Sequence, residues 1–327
     1  MSSKRQQLVL NRMCCCLWVF LGNDKVCTYM ETLSRGTWLM VCAMCLQVFF
    51  GVETLWAQDA RLSEKHIRFQ DVDRLYYLYM PDTLAQGNPL VVMLHGYGGN
   101  AAGLRPEMIE TAARHGFALC IPQGEKDPKG KPSWNVRYPM QEGMTTDDVA
   151  FILHLVKSLQ HEYGLSSRNV FLTGMSNGGE MCYIMAYLHP EAWGAIASVA
   201  GLTMEWLVRE EQPRGAVPFM EIHGTEDRTS EWRGDPSNQG GWGAYLAVPI
   251  AVGAIVAANR CTHEESVQLP LLDAAKPTRP VVLHRYLGGT NGYEVRLYEV
   301  VGGEHTWHMA DMDTLEEIWS FFSSYIR

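Results

Sequence analysis

Residues 170–183 read "VFLTGMSNGGEMCY", and the fold turns on how that stretch is read. It contains G-x-S-x-G as Gly174, Met175, Ser176, Asn177 and Gly178. Glycine and serine are common residues, so the pattern alone settles nothing. Its surroundings say more. "NVFLTG" (169–174) is the short apolar run of a strand buried on both faces, and "GEMCYIMAYLHP" (179–190) is a helix stopped at Pro190. A strand turning sharply into a helix at a serine lifts Oγ above the sheet edge. Glycine at 174 and 178 spares that turn two Cβ atoms. The first N–H groups of the helix lie free beside it, at the positive end of the helix dipole. The amide of Asn177 is therefore a candidate oxyanion donor.

Outward from this turn, apolar runs alternate with helical patterns. "LYYLYM" (75–80), "PLVVMLHG" (89–96), "FALCIP" (117–122), "AIASVAG" (195–201), "VPFMEIHG" (217–224), "VVLHRYL" (281–287) and "EVRLYEVV" (294–301) read as strands. "PEMIETAARHG" (106–116), "TTDDVAFILHLVKSLQHEYG" (145–164) and "TLEEIWSFFSSYI" (314–326) read as helices. Such alternation predicts a mostly parallel central sheet with helices on both faces, an α/β fold. "DRTSEWRGDPSNQGGWGAY" (227–245) breaks the rhythm and reads as a long loop, either over a site or as a surface excursion.

A serine needs a base and an orienting acid to attack a carbonyl near neutral pH. In a sheet of this kind both should follow the serine, each on a loop after a later strand. Asp227 comes just past strand 217–224, and His305 just past strand 294–301. Ser176, Asp227 and His305 are thus the candidate triad, with Glu226 the nearest competitor for the acid. Asp147 and Asp148 precede the serine and read as charges at a helix N-terminus. His95 and His223 each precede a glycine at a strand end and read as loop supports. His305 and His308 are three apart, but no third ligand cluster accompanies them, so no metal is expected. "LHGYGGN" (94–100) supplies a flexible loop near an early strand end, and the amide of Tyr97 is the second candidate oxyanion donor. Trp134, Trp242 and Trp307 are candidates to stack on an aromatic acyl group or a sugar ring, or else to pack in the core.

The first 57 residues differ from the rest. "WLMVCAMCLQVFF" (38–50) is too short to span a bilayer comfortably and suits the apolar region of a signal peptide, with cleavage after Ala57. Met30 is well placed to start that signal, which makes the upstream residues a gene-model extension. A single membrane anchor is the alternative. The expected organisation is a leader over 1–57 and one catalytic domain over 58–327, secreted or periplasmic and not inserted in a membrane after cleavage. Six of the nine cysteines lie in the leader, leaving Cys120, Cys182 and Cys261, at most one bridge. The formal net charge of −9, and −11 (22 positive against 33 negative) without the leader, argues against a nucleic-acid partner.

Taken together, "VVMLHGYGGN", "SWN", "TDDVAFI", "VFLTGMSNGGEMCY", "IHGTEDR", "GGEHTWH" and "EEIWSFF" resemble the esterase family of secreted polyhydroxybutyrate depolymerases and feruloyl esterases, also assigned to carbohydrate esterase family one. The resemblance spans about residues 66–327. It implies an α/β-hydrolase fold and carboxylic ester hydrolysis without a cofactor, with the family's triad on Ser176, Asp227 and His305. Feruloyl or acetyl esters of plant polysaccharide are the substrates it implies first. Hydroxyalkanoate esters come second and a peptidase on the same fold third, with an inactive carbohydrate-binding relative as the alternative from another class. Two departures stand out. Tyr97 stands where many relatives have Cys, and Glu304, His308 and Met309 alter the family's "GGGHTWPG" beside the histidine.

Overall fold

A continuous apolar run can be a central strand only if both of its faces are covered, and β3 (Leu90–Leu94), β5 (Val170–Met175) and β6 (Ala195–Val199) meet that condition. The computed structural model describes residues 62–82, 87–103, 106–273, 276 and 278–327. The expected leader lies outside the described residues, which fall within one compact unit, Arg61–Arg327.

The remaining strands are β1 (Leu62–Phe69), β2 (Val72–Tyr79), β4 (Ala118–Pro122), β7 (Phe219–Gly224), β8 (His263–Gln268), β9 (Val281–Leu287) and β10 (Val295–Val300). Together they form a sheet of order β1-β2-β4-β3-β5-β6-β7-β10-β9-β8. The six strands from β4 to β10 run parallel, and antiparallel pairs flank them at each edge. The C-terminal ends of β3, β5, β6, β7 and β10 therefore open onto one edge, where an α/β sheet offers its loops for function.

The helices are α1 (Pro106–His115), α2 (Asp148–Tyr163), α3 (Asn177–Leu188), α4 (Glu205–Glu210), α5 (Val248–Asn259) and α6 (Thr314–Ser323). Phe151 and Leu155 of α2, Met181 and Met185 of α3, and Val252 and Ile255 of α5 pack with Leu90, Val92 and Leu94 on one face. Met108 and Ala112 of α1 pack with Ile318 and Phe321 of α6 against Val91 and Met93 on the other. The period-two alternation of β3 thus feeds two cores at once. Each fully buried Leu or Phe contributes on the order of 1.5–3 kcal/mol. The expected fold class is borne out.

Helix α2 has the cap its sequence promises, with Asp147 Oδ1 accepting the Ala150 N–H at 2.9 Å and Gly164 closing it at φ +65°. Asp148 opens that helix, as expected, and has a further partner. It is buried and accepts from the equally buried Arg74 at 2.8 Å, so it is an internal ion-pair partner rather than a solvated charge. The long loop 227–245 is irregular as expected, tied to itself by the Asp235–Tyr245 bridge and to Met204 through Tyr245. Cys120, Cys182 and Cys261 are free thiols. Among the described residues, no helix is long and apolar enough to cross a membrane.

Candidate active site

The strand–helix junction is built as steric reasoning requires. Ser176 sits at φ +57°, ψ −122°, a conformation that costs on the order of 1–3 kcal/mol and needs its surroundings to hold it. The Ser176 N–H donates to Val199 O at 2.8 Å, tying the turn to β6. A Cβ on Gly174 would come within 2.6 Å of the Gly178 carbonyl carbon, and one on Gly178 within 2.5 Å of Leu94 O. Both glycines are required. The loop after β3 lies against the serine, since a Cβ on Gly96 would lie 3.3 Å from Ser176 Cβ.

Across the same sheet edge, His305 Nδ1 donates to Asp227 Oδ2 at 2.6 Å. Asp227 is fixed from its other oxygen as well, with Oδ1 accepting the Thr229 and Ser230 N–H groups at 2.8 Å each. Burial alone would raise the Asp227 pKa, but the hydrogen bond from His305 and the charges around it hold the carboxyl below its usual range. The Asp227 side chain is enclosed while that of His305 is 21% exposed, so the imidazole alone of the two reaches the surface. Glu226, its competitor, is exposed. The loops carrying the pair cross in contact: a Cβ on Gly224 would strike the Gly303 backbone, and the Glu226 N–H donates to Gly303 O at 2.9 Å. Among the described residues no hydrogen bond joins Ser176 Oγ to His305. Unliganded sites are commonly loose at this contact.

The amides of Tyr97 and Asn177 have no hydrogen-bond acceptor among the described residues. Both belong to the segments that meet at Ser176. The Asn177 side chain faces away from the turn and pairs with the Trp134 backbone, accepting its N–H at 2.7 Å and donating to its carbonyl at 3.0 Å. The Tyr97 hydroxyl donates to Asp127 at 2.6 Å; burial and that carboxylate push it up to about 12.

The three tryptophans separate. Trp134 is fully buried and donates from its ring to His95 O at 2.9 Å, so it cannot stack on a ligand and serves as a wall behind the loop carrying Tyr97. Trp307 is also buried, at 8% exposure, packed into the core under α6. Trp242 is half-buried, edge-on to Tyr97 at 5.4 Å and tilted against Tyr138 at 5.3 Å. Of the three it alone joins an aromatic group beside a candidate donor loop. His308, expected to alter the rim, instead turns inward: its side chain is 0% exposed.

Supporting residues with no evident motif also emerge. His95 Nε2 accepts the Gly124 N–H at 2.9 Å while Nδ1 donates to Gly96 O at 2.8 Å, which specifies one neutral tautomer. Burial lowers its proton affinity accordingly. The ion pair of Arg74 and Asp148 reaches the site through Asn135, whose N–H donates to Asp148 Oδ2 at 2.8 Å beside Trp134. His95 is the loop support that its place before Gly96 suggested, Asn135 and Asp148 were marked only by "SWN" and "TDD", and Arg74 by nothing.

Known proteins agree with this architecture. A family model described as "Esterase PHB depolymerase" matches residues 74–208. Feruloyl esterase B of Neurospora crassa is 32% identical over 132 residues, 38% of this chain and 43% of that protein. The bifunctional acetylxylan esterase/xylanase XynS20E of Neocallimastix patriciarum is 25% identical over 162 residues, 49% of this chain and 22% of that protein. A solved acetyl xylan esterase from Aspergillus awamori superposes with a TM-score of 0.53 at 16% identity, over 80% of this chain and 99% of that one. At that identity the likeness speaks for the fold. The chain spans between 22% and 54% of the length of the first three curated relatives it matches. Residues 74–208 thus resemble that esterase family, and the fold is of the α/β-hydrolase type.

Proposed function

We propose that this protein is a secreted serine carboxylic ester hydrolase whose triad is Ser176, His305 and Asp227. The observation that carries the reading is the Asp227–His305 hydrogen bond of 2.6 Å on the same sheet edge as a serine held at φ +57°. Ser176 Oγ attacks the ester carbonyl as His305 Nε2 takes its proton, and Asp227 keeps the Nδ1 proton in place. The free amides of Tyr97 and Asn177 hold the oxyanion, each donor of this kind being worth roughly 3 kcal/mol in the transition state. The imidazolium then protonates the leaving alcohol, and water releases the acyl group by the reverse sequence. No step calls for a cofactor or metal.

Feruloyl or acetyl esters of plant polysaccharide are the proposed substrates. The aromatic group of Tyr97, Tyr138 and Trp242 beside the donor loop suits a planar acyl group, and the matched feruloyl and acetylxylan esterases act on esters of that class by name. The family model's description keeps hydroxyalkanoate oligomers as a second reading. Secretion rests on the apolar run 38–50, and N-terminal sequencing of the native protein tests it: a mature chain beginning at Met1 would rule it out.

The decisive experiment is fluorophosphonate labelling. Wild type should take one adduct on Ser176, while Ser176→Ala should take none and lose at least about 10⁴-fold in kcat on p-nitrophenyl acetate. Folded wild-type protein without an adduct would end the esterase reading. Rates on methyl ferulate, acetylated xylan and hydroxybutyrate oligomers then choose the ester, and equal slow turnover of all three would leave none favoured.

A further inference from the structure

We propose that Glu221 and His223 are positioning residues for Asp227, a buried carboxylate–imidazolium pair that fixes both the loop and the charge around the group orienting His305. The inference rests on the serine-esterase reading above. Both side chains are 0% exposed, two residues apart on β7. His223 Nδ1 meets Glu221 Oε1 at 2.8 Å and Nε2 meets Ser230 O at 2.7 Å. A carbonyl can only accept, and a carboxylate accepts when ionised. Glu221 Oε1 also receives the Gly201 N–H, which marks it as an acceptor, so the ring donates from both nitrogens, in contrast to His95, which holds one acceptor and one donor. Burial by itself would lower the proton affinity of His223, but the hydrogen bonds to Glu221 and Ser230 O and the charges of Glu221 and Asp227 together outweigh it, and the net effect is upward.

Two links run from this pair to Asp227. Through Ser230, His223 pins the residue whose N–H supports Asp227 Oδ1 at 2.8 Å. Directly, Nε2 lies 3.7 Å from Asp227 Oδ2, the oxygen that accepts from His305. The neighbours that face the pair are few. Tyr183 and Cys182 of α3 approach Glu221, and the Gly201 N–H donates to Glu221 Oε1 at 3.3 Å. The Trp232 ring covers His223 edge-on at 6.1 Å. His308 lies near enough that His223 helps to lower its proton affinity. A buried ion pair returns little net stability when compared with apolar packing. Service to the adjoining carboxylate accounts for charge at this depth.

The test uses the full chain as wild type, His223→Leu, His223→Gln and Glu221→Gln, with p-nitrophenyl acetate kinetics from pH 5 to 9 and thermal melting. His223→Leu should lower kcat by about ten- to a hundredfold with KM within about twofold. His223→Gln keeps an amide N–H within reach of Ser230 O and should recover most of that loss. Glu221→Gln removes the counter-ion and leaves a neutral ring beside Asp227. With less positive charge there, the carboxylate–imidazole pair keeps its proton to higher pH, so the acid limb of kcat/KM should move up by about half a unit. A purely structural role would lower the melting temperature and leave that limb in place. A folded His223→Leu with wild-type kcat, or an unmoved limb in Glu221→Gln, overturns the inference; if His223→Leu does not fold, the limb decides. A wild type that neither labels with fluorophosphonate nor turns over would instead remove the esterase reading, and this inference with it.

Discussion

Single residues here do separate kinds of work, and their exposure tells which. Ser176 carries backbone strain, His305 reaches the surface, and Trp134 is sealed between His95 and Asn177. Trp242 is the residue on which choice of ester should depend. Trp242→Ala is expected to raise KM for methyl ferulate about tenfold, as loss of a half-buried aromatic contact would, and to leave p-nitrophenyl acetate within twofold. Parallel kinetics on the two esters check this, and an equal change in both would assign Trp242 to structure. At this scale the sequence was only partly legible. The placing of Ser176 on a strand–helix turn and of Asp227 beside His305 follows from order and loop position, so that geometry was legible. Trp134 could not, because the partners that enclose it, His95 and Asn177, are 39 and 43 residues away. The burial of Asp148 could not be read for the same reason, its partner Arg74 lying 74 residues back.

At the scale of elements, glycine and buried charge hold the edge of the sheet in register. Gly178→Ala would push a methyl into the Leu94 carbonyl, which is backbone and cannot swing aside. A loss of about 3 kcal/mol, the upper range for overpacking, is expected in urea unfolding. Fluorophosphonate reactivity should fall with it, because the same wedge separates the turn from β3. Arg74→Met is expected to cost about 3 kcal/mol by leaving Asp148 buried without its partner, again read by urea unfolding. Its kcat should drop too, since Asp148 holds the segment that carries Trp134. The element pattern also shows what periodicity can and cannot reveal. The central parallel strands were readable because both faces are covered. Strand β1, "LSEKHIRF", and strand β8, "HEESVQ", were not, since an edge strand open to water needs no apolar alternation. Helix α5, "VPIAVGAIVAAN", is apolar nearly all round and offers no stripe to detect.

For the whole molecule, buried histidines set how stability changes with pH, and their signs differ. His95 and His308 are both held below the ordinary imidazole range, burial being the first cause in each. The unfolded chain then binds protons that the native chain refuses, so their contribution is full above about pH 6.5 and is lost as pH falls toward their native values. His223 is raised, so its contribution is full below about pH 6.5 and is lost as pH rises through its native value. The lowered Asp227 acts further down, stabilising above about pH 3.9 and losing that effect as pH falls through its native value. His308 is the clearest case, since burial of its ring outweighs the Asp311 carboxylate, whose Oδ2 lies 3.5 Å from Nδ1. His308→Gln cannot take up a proton there. Its melting temperature should fall less than that of wild type between pH 7.5 and 5.5, and parallel curves would refute the assignment.

The loop after β7 divides into two parts with different freedoms. Its first residues are bound into the Asp227 support, and Asp235 and Tyr245 close it at the far end. Between them residues 236–241 are all exposed, held as an arch by Asp235 Oδ2 accepting the Gly240 N–H at 2.7 Å. Apart from Asn238, whose Oδ1 accepts the Gly243 N–H at 2.7 Å, that arch is expected to vary in sequence, and even in length, without loading Asp227 or Ser176. A library confined to it should therefore yield variants that keep their melting temperature and serine labelling while their ranking of esters diverges. Innovation in this protein has a place to occur that does not pass through loss of turnover.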